Sequence, residues 1–214
     1  MEKRTKKLRK ENTKDLSTEE KIKAAASRLF TKKGYSATRT RDIAEAAGIN
    51  LALLNYYFRS KEKLFNIVIL ENFVQFIAGV KTLLNEKTTS LDEKIQGIAD
   101  LYIGKMIANP DLPLFIINEI HTDPKRLTAK GFTKDMLWNS YFMKQFMEEY
   151  AKRKGTAPKP IHHIMNLFAM TIFPFIAAPI LREVGGISEQ DFQAAMEERR
   201  KWIPIWIKKL LLDT

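Results

Sequence analysis

Residues 40–58 read TRDIAEAAGINLALLNYYF, and this stretch encodes two short helices across a glycine. Thr40 can cap the first helix, over residues 41–47; Gly48 breaks it, and Asn50 can cap the second, over residues 51–58. Ala44 is small enough to let the two helices pack closely, and Ile43, Ile49, Leu54 and Phe58 can form their shared core. The remaining face carries Leu51, Ala52, Asn55, Tyr56 and Tyr57, with Lys61 just beyond it at the start of another helix, where free N–H groups favour a phosphate. A tight helix pair of this kind can project its second member into the major groove of DNA. The same outline also recurs in helical bundles that bind nothing.

Upstream, Ser17-Thr18-Glu19-Glu20 has the form of a capping box, and Ile22, Ala25, Ala26, Leu29 and Phe30 follow at helical spacing. That helix should close at Lys32-Lys33-Gly34, where glycine can turn left-handed. Residues 1–16 hold seven Lys or Arg and no apolar run, which predicts a mobile basic arm rather than a secretory or transmembrane start. Downstream, Ser60 can cap a helix of about 25 residues whose apolar positions are Leu64, Phe65, Val68, Phe73, Ile77, Val80 and Leu84. Further helices are expected over residues 91–108, 112–121, 133–154, 160–182 and 188–212, with breaks at Asn109-Pro110, Asp123-Pro124, 155–158 and Gly185-Gly186. The expectation is an all-α fold of about nine helices: a basic arm (1–16), a helix-turn-helix head (17–63) and a helical body (64–214).

Composition supports a globular chain. Of 214 residues, 45% are apolar and 29% charged, and none is cysteine, which removes disulfides, thiolate metal sites and cysteine nucleophiles and favours a reducing cytoplasm. The net charge of +11 is unevenly placed. Residues 1–63 contain 17 Lys and Arg against 8 Asp and Glu, whereas the remaining residues contain 19 against 17. A basic head on a nearly neutral body fits a polyanion partner, nucleic acid before membrane surface; the bland alternative is a solubilising tail.

With those residues read, residues 17–65, STEEKIKAAASRLFTKKGYSATRTRDIAEAAGINLALLNYYFRSKEKLF, resemble the head of the TetR family of bacterial transcriptional regulators. The resemblance is carried by Leu29-Phe30, Gly34-Tyr35, Thr38, Asp42-Ile43-Ala44, Ala47-Gly48, Tyr57-Phe58 and Ser60-Lys61. It implies a homodimer on a palindromic operator, released when a small effector binds the C-terminal domain. By the same resemblance Thr40 and Arg41 contact backbone or an outer base, Leu51, Ala52 and Asn55 face the bases, and Tyr56, Tyr57 and Lys61 hold phosphates. This chain departs from many members in opening its recognition helix with Leu51-Ala52-Leu53, which can meet thymine methyls but offers no hydrogen bonds. Direct readout then rests on Asn55, a side chain suited to adenine.

Residues 102–175 are rich in aromatic residues and methionine, which suits an apolar effector pocket as well as plain core. The expected wall residues are Tyr102, Met106, Trp138 and Phe142, with His163 as a polar anchor. Residues 161–181 lack any Asp, Glu, Lys or Arg and are long enough to span a bilayer, but His162, His163, Asn166, Pro174 and Pro179 favour a buried helix, and no membrane partner is expected. Ala177 and Ala178, with Ile203, Trp206, Ile207 and Leu210 of the last helix, are the expected dimer interface, and Pro204 should kink that helix. The adjacent His162 and His163 are poorly placed for joint metal ligation, and no phosphate loop, nucleophile elbow or HExxH occurs. Catalytic residues, cofactor and metal are therefore not expected. The rival functions are a nonspecific DNA binder without effector and, further off, an all-α enzyme.

Overall fold

Twelve α-helices follow one another in the computed structural model, which describes residues 17–152 and 159–212. The basic arm and the break at 155–158 lie outside the described residues. The helices are α1 (Thr18–Ala37), α2 (Thr40–Ala46), α3 (Leu51–Phe58), α4 (Lys61–Asn85), α5 (Leu91–Ala108), α6 (Leu112–Thr122), α7 (Pro124–Ala129), α8 (Lys134–Trp138), α9 (Tyr141–Ala151), α10 (Pro160–Ile176), α11 (Ala178–Gly185) and α12 (Glu189–Leu212). No strand occurs among the described residues.

Caps within three residues decide where most helices start. Ser17 Oγ accepts from the Glu20 N–H at 3.2 Å while the Glu20 carboxylate accepts from the Ser17 N–H at 2.9 Å, and Ser90 with Glu93 repeats this box at α5. Asn50 Oδ1 accepts from the Leu53 N–H at 2.8 Å, and Ser60 Oγ from the Lys63 N–H at 3.1 Å. Thr40, the expected cap of α2, is instead its first helical residue, and Arg39 before it makes no side-chain cap. Gly34 does turn left-handed at φ 75°, but a last turn of helix continues beyond it to Ala37.

The count exceeds nine because two expected segments are subdivided and a stretch between expected segments holds a helix of its own. Pro124 opens a six-residue helix of its own. The segment over 133–154 breaks at Asn139-Ser140, where Ser140 Oγ accepts from the Met143 N–H at 3.1 Å and donates to the Leu137 carbonyl at 2.6 Å. The apolar segment over 160–182 breaks at Ala177, and α10 and α11 meet at 65°.

Two prolines remain inside helices. A helical proline has no N–H for the carbonyl four residues earlier, so Pro174 releases the Met170 carbonyl and Pro204 the Arg200 carbonyl. Both are taken up by side chains from other helices: Arg199 Nε donates to Met170 O at 2.8 Å, and Gln96 Nε2 to Arg200 O at 3.2 Å. These bonds tie α12 to α10 and to α5, the helices on which it chiefly packs.

The chain divides into two compact units between Val68 and Ile69, within α4. The head extends past residue 63 because Leu64 and Val68 complete its core with Ile22, Ala25, Ala26, Phe30, Ile43, Ala44, Leu54 and Phe58. In the body, α5 packs against α12, α10 and α9, and α10 also against α6 and α11.

Candidate nucleic-acid interface and body cavity

In the head, the turn between α2 and α3 is a Schellman motif. The Gly48 N–H donates to Glu45 O and the Ile49 N–H to Ala44 O, each at 3.0 Å, with Gly48 at φ 70° and Ile49 packed on the core. The motif fixes the direction in which α3 leaves. Leu54 and Phe58 then point into the core, and the opposite side is presented to solvent: Ala52, Asn55 and Tyr57 are exposed, Tyr56 is 79% exposed, and Leu51 and Thr40 are half-buried. Arg41 is exposed on α2. The rings of Tyr56 and Tyr57 meet edge to face at 5.6 Å.

Lys61 does not present its ammonium to that face. Its Nζ donates to the Tyr35 carbonyl at 2.9 Å and the Thr38 carbonyl at 3.1 Å, and stands 4.1 Å from the centre of the Tyr35 ring. At the C-terminal end of α1 the Tyr35 carbonyl also accepts from the Thr38 N–H at 3.3 Å, and the lysine adds a charged donor to it and to the cap residue's carbonyl. Thr38, almost fully buried, donates its hydroxyl to Gly34 O at 2.8 Å, and the Tyr35 ring closes on Phe65 at 4.8 Å. Gly34, Tyr35, Thr38 and Lys61, residues that mark the family resemblance, thus form one internal fastening of α1 to α4. The cations that do stand exposed around α3 are Arg39, Arg41 and Arg59, and no described residue pairs with them. Arg39 and Arg59 went unnoticed in the sequence because a lone arginine carries no spacing signal. Arg59, at φ 57°, is the one described non-glycine residue with left-handed backbone.

In the body a cavity of about 370 Å³ is bounded by α4 to α10. Of the residues proposed as an effector wall, Tyr102, Trp138 and Phe142 line it. Met106 and His163 do not: Met106 is fully enclosed in the core, and His163 is buried between the rings of Phe146 and Tyr150 at 5.9 and 6.2 Å. Each lies on a helix that contributes other residues to the wall, so helical spacing alone could not separate the two faces. The wall also includes Phe132 and Phe168, which belong to the aromatic-rich stretch but were not singled out, and Leu127 and Lys134, which gave no signal in the sequence. Burial pushes the Tyr102 phenol far above its ordinary range, so it remains a neutral hydroxyl. Among the described residues no group of three His, Asp or Glu could hold a metal ion.

Residues 22–68 match the family described as "Bacterial regulatory proteins, tetR family". Over 194 residues, 88% of this chain and 93% of the relative, the sequence is 26% identical to the probable HTH-type transcriptional regulator YttP of Bacillus subtilis (strain 168). It is 33% identical over 82 residues to the HTH-type transcriptional repressor KstR2 of Mycolicibacterium smegmatis, covering 38% of this chain and 40% of that one. A TetR transcription regulator from Haloarcula marismortui shares the fold at a TM-score of 0.58 and 18% identity, over 89% of this chain and 96% of the other. Residues 22–68 are thus a TetR-family head, and likeness to a regulator runs over most of the chain. These findings support a DNA-binding transcriptional regulator of the TetR type rather than an enzyme.

Two of the residues expected at a dimer interface need correction. Ile203 and Ile207 are buried in the protein's own core, on the side of α12 that packs against α5 and α10. Leu210 is exposed, and Ala177, Ala178 and Trp206 are half-buried. The apolar side chains left outward are Trp202 and Ile205 on α12 and Ile180, Leu181 and Val184 on α11, with Val184 78% exposed. The 24 residues of α12 alternate inward and outward positions along a helical period, and sequence identity alone did not say which apolar set faces in. Of the described helices α4 is by length and composition able to cross a membrane, as are α10 and α11 taken together as one bent pair; on α4 Leu64, Val68, Phe73, Ile77, Val80 and Leu84 are nonetheless buried within the protein, while Ile67 is exposed.

Proposed function

We propose that this TetR-family regulator is a cytoplasmic repressor that binds a palindromic operator as a homodimer and leaves it when a small apolar or amphipathic molecule occupies the body cavity. The observation that carries the DNA reading is the solvent-facing side of α3, held at a set angle by the Gly48 turn and flanked by arginines that pair with no described residue. Asn55 reads adenine through its amide, while Leu51 and Ala52 pack on thymine methyls. Thr40 and Arg41 contact backbone or an outer base, and Tyr56 and Tyr57 hold phosphates. Because the Lys61 ammonium is engaged inside the head, Arg39 and Arg59 take over the phosphate role expected of it. Two recognition helices on one duplex face require half-sites about 34 Å apart, hence a palindrome. The dimer forms through the outward apolar residues of α11 and α12.

Release requires coupling of only about 1–3 kcal/mol between effector and DNA. Helix α4 starts in the head at Lys61 and contributes Val80 and Leu84 to the cavity wall, so it is the element through which the two sites communicate. Selection of bound sites from a random duplex pool tests the reading: an enriched palindrome is expected. Enrichment of an asymmetric site overturns the symmetric dimer, and tight binding with no enrichment makes the protein a nonspecific DNA binder.

A further inference from the structure

We propose that the body cavity selects anionic amphiphiles, with Lys134 receiving the anionic headgroup and the aromatic and aliphatic wall receiving the apolar chain. This rests on the effector-cavity reading above and names the ligand class. The wall is almost wholly apolar, and Lys134 is its one formally charged residue; no Asp or Glu contributes to it. No described carboxylate pairs with Lys134. Asp135, its neighbour in the chain, accepts from the Asn139 side chain at 2.8 Å and is not part of the wall.

The remaining polar wall groups are neutral. Thr133 Oγ1 accepts from the Met136 N–H and Thr128 Oγ1 donates to Lys125 O, so both serve their own backbone. The Tyr102 hydroxyl has no hydrogen-bond partner among the described residues and supplies a second, uncharged contact. A bound cation would meet the Lys134 charge with no counter-ion, and a neutral head would forgo a charge-assisted hydrogen bond. The lysine stands on the part of the wall where the backbone is least regular, the six- and five-residue helices α7 and α8 joined across Gly131 at φ 102°. Phe132 and Trp138 there are 38% and 39% exposed, so a chain entering beside Lys134 covers aromatic surface that otherwise meets water.

The test is a tryptophan-fluorescence titration of the full chain at neutral pH with decanoate, decanol and decylammonium, each below its aggregation threshold, with Trp138→Phe to assign the signal. Decanoate should bind at least about five-fold more tightly than decanol, the discounted value of a charged hydrogen bond at a solvent-accessible edge, and decylammonium most weakly. Lys134→Gln should remove the advantage of decanoate while leaving decanol unchanged, which also shows the variant folded, and Lys134→Arg should keep it. Equal affinity for decanoate and decanol, or an advantage that survives in Lys134→Gln, overturns the anion selection and leaves an apolar effector site standing. Failure of all three compounds to bind overturns the site itself. Binding of decanoate with unchanged operator affinity supports this inference and refutes the effector switch instead.

Discussion

The bond from Gln96 to the Arg200 carbonyl can be tested as an answer to Pro204 by a double-mutant cycle. Gln96→Met keeps the methylenes and removes the amide, so the carbonyl that Pro204 already deprives of its helical donor loses its replacement, the bond at 3.2 Å. A net protein hydrogen bond is worth about 0.5–1.5 kcal/mol, and a carbonyl left without a partner in a part-buried position puts the cost near the upper end. Pro204→Ala restores an N–H to that carbonyl within the helix. The same Gln96→Met change in the alanine background should therefore cost nearly nothing, a coupling of about 1 kcal/mol. The assay is denaturant unfolding followed by fluorescence of Trp202 and Trp206, which flank Pro204 and whose rings stack at 6.2 Å. If Gln96→Met costs the same in both backgrounds, to within about 0.3 kcal/mol, the bond does not compensate the proline and the account of α12 is wrong.

The other expectations concern the head and the dimer. Asn55→Ala should erode discrimination between operator and random duplex by roughly 1–3 kcal/mol, whereas Lys61→Met should lower head stability and leave the salt slope of DNA binding unchanged; a slope reduced by about one in Lys61→Met would restore it as a phosphate contact. Gly48→Ala should cost about 1–2 kcal/mol, because an added Cβ meets nothing within 4 Å and the penalty is the left-handed backbone alone. Gly79→Ala, equally uncrowded but inside α4, should stabilise by roughly 1 kcal/mol, and hydrogen exchange at Ile49 and around residue 79 reads both signs. Trp202→Asp or Ile205→Asp should yield folded monomer in sedimentation, while Ile203→Asp, at a fully buried position, should unfold the body; a dimer that persists in Trp202→Asp, Ile205→Asp places the interface elsewhere.

What sequence alone determined was local. Ser17, Asn50 and Ser60 each act on an N–H three residues away, and Gly48 acts through its own φ, so residue type at fixed spacing was enough to place the start of α1, α3 and α4 and the turn between α2 and α3. Among the body segments this worked where breakers were strong and failed at Ser140, a cap hidden inside an otherwise helical pattern. Tertiary structure decided whatever depended on partners distant in the chain. Lys61 turns inward to carbonyls 26 and 23 residues earlier, and Gln96 reaches a carbonyl 104 residues away. It also decided that Ile203 and Ile207 are core while Trp202 and Ile205 are surface, and that Phe142 lines the cavity while Met106 is sealed. All of these residues are apolar and helically spaced. Only the surface each one meets separates core from pocket and interface, because burial is a property of neighbours rather than of the residue itself.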